Sequence, residues 1–106
     1  MDILATLQAL NACHGPSGDE RQVARTIETL AAPFADEITT DTLGSLICHK
    51  KGSGKRIMFA AHMDSIGFMV THIDEKGFLR FGRIGGLDAH EVLGAPIRFK
   101  NGVRGV

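Results

Sequence analysis

The sequence predicts an α/β fold, and three observations lead to that prediction. The uncharged run Ile-Met-Phe-Ala-Ala at residues 57–61 is typical of a strand buried on both faces of a sheet that helices cover. Two segments before this run carry apolar residues at helical spacing. The segments after it form short strand patterns separated by turns that contain glycine.

Length and composition describe a modest globular chain without a marked charge. It has 106 residues, of which 43% are hydrophobic, and its 12 basic and 12 acidic residues cancel. This balance gives no electrostatic reason to expect nucleic acid or an anionic membrane as a partner. No apolar run approaches transmembrane length, and Asp2 stands where a signal peptide would carry positive charge. We therefore expect a cytoplasmic protein, in which reduced thiols at Cys13 and Cys48 are favoured over a disulfide.

Two helices are predicted in the first third of the chain. The first should run from about residue 3 to about residue 12, with Asp2 as its cap. Ser17 and Glu20 match a capping box at the start of the second helix, which Pro33 ends. A phosphate-binding loop at residues 15–18 is a weaker alternative to this capped turn. The predicted apolar faces consist of Ile3, Leu4, Leu7 and Leu10 in the first helix and Val23, Ile27 and Leu30 in the second.

Short strands are predicted for most of the remaining chain. Apart from the central run, they span residues 34–40, 45–50, 67–73, 78–84 and 97–100. A single helical turn is predicted at 88–93, and Asn101-Gly102 predicts a hairpin that returns along residues 103–106. We interpret residues 1–65 as the start of an α/β domain and residues 66–106 as the start of a β-rich domain. Neither looks complete, because the chain stops within the return strand of the last hairpin.

The residues directly after the central run form the candidate site. Ligands in open α/β sheets bind outside the carboxyl ends of strands, and His62 and Asp64 follow such a strand. A histidine there can offer one ring nitrogen to a metal while a carboxylate holds the other N–H. Spacing alone supports a core histidine equally well. The same His-x-Asp spacing recurs at residues 72–74, where an ordinary turn explains the aspartate.

No complete active site follows from the residues alone. A catalytic zinc usually needs three protein ligands, and the chain has no His-Glu-x-x-His, paired Cys-x-x-Cys or Gly-x-Ser-x-Gly motif. The polar residues at 88–91 are interpreted as a solvated turn. The adjacent Cys13 and His14 are not interpreted as a nucleophile and its base, because a helix end and a proline turn flank them.

Five short motifs occur in order along the chain. They are Gly-Pro-Ser-Gly-Asp-Glu at 15–20, Asp-Thr-Leu-Gly-Ser at 41–45, Ala-His-Met-Asp-Ser-Ile-Gly-Phe-Met-Val at 61–70, Gly-Phe-Leu at 77–79 and Ile-Gly-Gly-Leu-Asp at 84–88. Together they resemble the N-terminal part of the M42 family of metallo-aminopeptidases. This family includes glutamyl and tetrahedral aminopeptidases, some of which carry an older cellulase or endoglucanase label.

The resemblance implies a longer protein of two domains. A helix-flanked mixed-sheet catalytic domain is interrupted by a β-barrel-like domain used for homo-oligomerisation. The family uses two divalent metals, usually zinc or cobalt, to remove N-terminal residues from peptides. The resemblance makes His62 a metal ligand and Asp64 the catalytic-site residue that orients it. The other ligands and the glutamate that activates water lie beyond the end of this chain.

Three positions depart from the residues that are usual in the family. Ser65 stands where glutamate is frequent, so the charge beside the site or the choice of substrate could differ. Leu87 stands where tryptophan is frequent, and Ser45 stands where asparagine is usual. None of these departures removes the predicted ligand.

The expected function is therefore that of the N-terminal part of a dinuclear-metal aminopeptidase. The chain alone should be inactive, because a single ligand holds a catalytic metal poorly. The alternative is a non-catalytic module that binds copies of itself or a partner through an exposed β edge. Carbohydrate hydrolysis ranks last, because it usually needs a carboxylate pair that we cannot place in this sequence.

Overall fold

The computed structural model of the protein describes residues 2–106. The first half of the chain contains two helices and a hairpin, which are α1 (Ile3–Asn11), α2 (Arg21–Ala31), β1 (Glu37–Thr40) and β2 (Leu46–His49). The second half contains two further hairpins and one helical turn, which are β3 (Gly67–Ile73), β4 (Leu79–Ile84), α3 (Ala89–Val92), β5 (Ile97–Arg98) and β6 (Arg104–Gly105). The α/β composition is confirmed.

Helix α1 begins where the sequence predicts, because Asp2 caps it. One carboxylate oxygen of Asp2 accepts hydrogen bonds from the backbone N–H groups of Leu4 at 2.9 Å and Ala5 at 3.2 Å. These bonds satisfy two of the amide groups that the first turn leaves without helical partners. None of the residues of α1 is buried.

Helix α2 places its predicted apolar face inward. Val23 is only 8% exposed, while Ile27 and Leu30 are half-buried. The predicted capping box is wrong, because the residue that caps α2 is Glu20 and its side chain makes no capping hydrogen bond. Ser17 instead lies outside the helix and uses its hydroxyl elsewhere.

The strands form three two-stranded antiparallel sheets, β1–β2, β3–β4 and β5–β6. In the first hairpin, Oδ1 of Asp41 accepts from the backbone N–H of Leu43 at 2.9 Å and of Ser45 at 2.8 Å. This aspartate closes the turn in the way that turn chemistry predicts. The predicted mixed sheet is absent from the described part of the chain, where each named strand pairs only with its hairpin neighbour.

The β3–β4 hairpin is the longest of the three. Phe68 and Phe81 meet across it in an edge-to-face arrangement, with ring centroids 4.6 Å apart. Its turn is closed by Asp74, whose Oδ1 accepts from two backbone N–H groups within the loop. Beyond β4, Leu87 is 9% exposed, and its carbonyl accepts from Nη1 of Arg83 at 2.8 Å.

The predicted central strand at residues 57–61 is wrong for this chain. The segment belongs to no strand, and Ile57, Met58 and Phe59 are 78%, 87% and 95% exposed. A strand buried on both faces needs hydrogen-bonded neighbours and covering helices. No strand described in residues 2–106 pairs with this segment, so its apolar side chains remain in solvent.

The chain divides into two compact units. Among the described residues, the first unit contains residues 2–15 together with Asp19–Met63. The second contains Pro16–Gly18 together with Asp64–Val106. The link between the two helices therefore belongs, by its contacts, to the unit that follows much later in sequence. The predicted domains 1–65 and 66–106 stay a prediction.

None of the helices in residues 2–106 has the length and apolar character needed to span a membrane.

Candidate functional site

Asp64 lies beside the link between the two helices. Pro16 and Ser65 form an isolated parallel β-bridge, which aligns the backbone of the link with the backbone around Asp64. The Ser17 hydroxyl donates a hydrogen bond to Oδ2 of Asp64. Two neighbouring residues of the link thus contact two neighbouring residues that lie far away in sequence, one pair through the backbone and the other through side chains.

A close backbone approach accompanies this contact. A Cβ atom added to Gly67 would lie 3.1 Å from Cβ of Pro16, which is tighter than ordinary van der Waals contact. Glycine at this position therefore allows the chain after Asp64 to run against the proline ring. The result is a narrow fit between the Pro16–Gly18 link and the start of β3.

His62 lies in the first unit and is exposed. It follows the apolar segment 57–61, which is likewise exposed. His62 is therefore not a core histidine in this chain. Its role as a metal ligand and the role of Asp64 in orienting it stay predictions.

The described residues of this chain offer one candidate metal ligand and not a complete set of ligands. A neutral imidazole is a suitable ligand for zinc or cobalt. Within residues 2–106, however, no group of three or more His, Cys, Asp or Glu side chains could hold a metal ion. A catalytic zinc is usually held by three protein ligands. His62 therefore offers one donor, and further donors would have to come from elsewhere.

The neighbouring Cys13 and His14 point to different partners. The Cys13 sulfur lies 3.3 Å from the carbonyl oxygen of Ala9 and 3.2 Å from the Thr26 hydroxyl. Nε2 of His14 lies 3.4 Å from a carboxylate oxygen of Asp19. These contacts give the two side chains separate partners, and the interpretation that they are not a nucleophile and its base stays a prediction.

The other polar motifs are turns and caps. Asp74 closes the β3–β4 turn, and His72 pairs with Arg80 as an exposed strand residue. Asp88 accepts from the backbone N–H of His90 at 2.9 Å and caps α3. Both interpretations made from the sequence are confirmed.

The residue that sequence reasoning missed is Ser17. Its local pattern with Glu20 suggested a capping box, which explained the serine without any distant partner. The only further signal was the run of small residues at 15–18, which permits close backbone approach. Sequence reasoning had no means of identifying Asp64 as the acceptor.

Similarity to known structures defines the class of protein. The TET aminopeptidase of Thaumarchaeota archaeon SCGC AB-539-E09 superimposes with a TM-score of 0.86 at 36% identity, over 97% of this chain and 30% of that one. The TET1 peptidase of Pyrococcus horikoshii, which can assemble into a tetrahedron or a large octahedral shell, gives a TM-score of 0.77 at 30% identity, over 95% and 31%. The chain thus has the fold of part of an aminopeptidase.

Sequence similarity defines the family. The model of the M42 glutamyl aminopeptidase family matches residues 44–106. A protein of Acetivibrio thermocellus that is provisionally named an aminopeptidase is 48% identical over 104 residues, which are 98% of this chain and 32% of that protein. The chain belongs to the M42 glutamyl aminopeptidase family. It spans about a third of the length of the relatives described here.

Proposed function

We propose that this chain is the N-terminal part of a dinuclear-metal aminopeptidase that removes N-terminal residues from peptides. The observation that carries the proposal is the family match over residues 44–106, which includes both His62 and Asp64. The proposal also fits the exposed position of His62, because a metal ligand needs an accessible ring nitrogen.

The two residues have separate roles in this proposal. His62 offers one ring nitrogen to a divalent metal, either zinc or cobalt. Asp64 accepts a hydrogen bond from the other ring nitrogen and so fixes the tautomer and the ring orientation. A metal pair bound there would polarise the peptide carbonyl and lower the pKa of a bound water molecule toward neutrality.

The remaining donors come from residues outside this chain in our proposal. Residues 2–106 contain no cluster that could complete a metal site. The 106-residue chain should therefore neither retain a metal firmly nor hydrolyse peptides. We further propose the cytoplasm as its compartment, since neither Cys13 nor Cys48 forms a disulfide, as is usual under reducing conditions.

The β-rich part would begin an oligomerisation domain. The β3–β4 hairpin leaves large apolar side chains in solvent, with Met69, Ile73 and Phe78 exposed by 59%, 63% and 70%. Large exposed apolar patches are typical of association sites, and we propose that these side chains contribute to one. The proposed oligomer has the same kind of homotypic assembly as the TET1 peptidase described above.

The test uses the full-length protein that carries this chain. His62→Ala should abolish hydrolysis of aminoacyl p-nitroanilides and lower the zinc content measured by mass spectrometry after dialysis. His72→Ala is the matched control, because it changes a histidine with the same His-x-Asp spacing that is exposed on β3. Equal activity and metal content in the two variants would contradict the proposed role of His62.

A second candidate is a non-catalytic module that associates with itself. The exposure of Ile57, Met58 and Phe59 favours it, because unpaired apolar segments recruit further chains. The metal content and the peptidase activity of the full-length protein distinguish the two candidates. A full-length protein without metal or peptidase activity, but with a defined oligomeric state, would favour the module.

A further inference from the structure

We propose that Ser17 is a positioning residue that fixes the carboxylate of Asp64 for its contact with the metal ligand His62. The inference rests on the proposed function, and it adds to that function a residue that lies 47 positions before Asp64 in the sequence. Ser17 would touch neither substrate nor metal. It acts through Asp64.

The backbone around Ser17 is held in place on the Asp64 side. The preceding residue, Pro16, has its φ angle fixed by the proline ring and pairs with Ser65 in the parallel bridge. Pro16 also packs against Gly67, so the link has little freedom to withdraw. The backbone thus places Ser17 beside Asp64, and a single side-chain rotamer brings the Ser17 hydroxyl within hydrogen-bonding distance of the carboxylate.

The hydroxyl of Ser17 donates to Asp64 and is not used to cap the helix that follows it. It does not cap α2, because the cap residue is Glu20 and α2 receives no side-chain capping bond. A hydroxyl that donates to an ionised carboxylate makes a stronger hydrogen bond than one between neutral groups. This bond opposes rotation of the carboxylate about its side-chain torsions.

A carboxylate has two oxygens and about four acceptor sites. Ser17 donates to Oδ2, and the same carboxylate has the capacity to accept an imidazole N–H as well. Orientation of a metal-bound histidine by a carboxylate contributes about 10- to 100-fold to metal affinity in known sites. Without Ser17, the carboxylate loses one of the contacts that orient it, and part of this contribution should be lost.

The experiment measures zinc affinity of the full-length protein by competition with a chromogenic chelator. Ser17→Ala should weaken zinc binding by about 3- to 10-fold, which is less than removal of Asp64 itself should cost. Ser17→Thr keeps the hydroxyl and should retain most of the affinity. Ser53→Ala is the matched control, because Ser53 lies exposed in the loop before residue 57.

The midpoint of thermal unfolding of the metal-free protein distinguishes positioning from a structural role. The inference predicts an unchanged midpoint and weaker zinc binding in Ser17→Ala, with recovery in Ser17→Thr. If Ser17→Ala binds zinc like Ser53→Ala, or if its weaker binding is matched by a lower midpoint of the metal-free protein, the inference is wrong. A wild-type protein that binds no zinc or cobalt would overturn the proposed function and this inference together.

Discussion

Gly15 packs directly against the side chain of Val23. A Cβ atom on Gly15 would overlap Cγ2 of Val23, so no other residue fits without a shift. Both residues are buried, in a chain where little apolar surface is covered. This contact fixes the end of the α1 segment onto α2.

We predict that Gly15→Ala destabilises the protein, because Val23 is β-branched and has few rotamers with which to move away. The expected loss is about 1–3 kcal/mol, as for overpacking in a core. Urea denaturation measures it. Gly52→Ala is the control, since a Cβ on Gly52 meets nothing within 4 Å. A loss that is equal in the two variants would show that the contact with Val23 is unimportant.

The cap of α1 gives a second prediction. Asp2→Ala removes the acceptor for the amides of Leu4 and Ala5, and should cost about 0.5–2 kcal/mol. Asp2→Asn keeps an acceptor oxygen and should restore most of the loss. Circular dichroism during thermal unfolding reports both variants. The cap assignment fails if Asp2→Asn unfolds as early as Asp2→Ala.

The β1–β2 turn should respond to acid. The backbone N–H of Ser45 lowers the pKa of Asp41 below its ordinary value of 3.8, with weaker support from the Ser45 hydroxyl and the amide of Leu43. The folded pKa is therefore lower than the unfolded one. The stabilisation by Asp41 is present above about pH 4 and is lost as the pH falls through the folded pKa.

Nuclear magnetic resonance can follow this titration at the carboxyl carbon of Asp41. The expected midpoint lies below 3.8, and amide exchange in β1 and β2 should accelerate as the carboxyl is protonated. In Asp41→Asn the turn keeps a neutral acceptor, so this part of the acid response should disappear. Persistence of the same response in that variant would assign it to other groups.

The segment after β4 depends on Arg83. Its guanidinium donates to the carbonyl of Leu87, a residue that is 9% exposed. Arg83→Gln should shorten the reach of the side chain and cost about 1.5–3 kcal/mol, as for a hydrogen bond to a charged group. Arg80→Gln on the same strand is the control, and thermal unfolding is the measurement. Indistinguishable midpoints would rule out a stabilising role for the Arg83 contact.

Local chemistry explains what the sequence could predict. Strand β3 spans the predicted residues 67–73. This strand was predictable because its strand pattern and the turn at Asp74 that follows it are both local features of the sequence. The cap at Asp2 was likewise predictable. These features form from contacts within a few residues, so no knowledge of distant partners is needed.

The features that could not be predicted from the sequence depend on partners that lie far away along the chain. The segment 57–61 has the composition of a buried strand, but its burial depends on neighbouring strands that residues 2–106 do not supply. Ser17 fits a local capping pattern, yet its hydroxyl goes to Asp64. For the candidate site, the sequence and the family resemblance therefore supplied His62 and Asp64, whereas only the structure supplied Ser17.

The interleaving of the two units has a consequence for synthesis on the ribosome. Helices α1 and α2 contact each other, and this contact needs no residue that is synthesised after α2. The Pro16–Gly18 link between them must wait, because its partners begin at Asp64. The contacts of this link therefore form late, after the residues from Asp64 onward have been synthesised. Until translation has passed that point, the hydrogen bond between Ser17 and Asp64 cannot form.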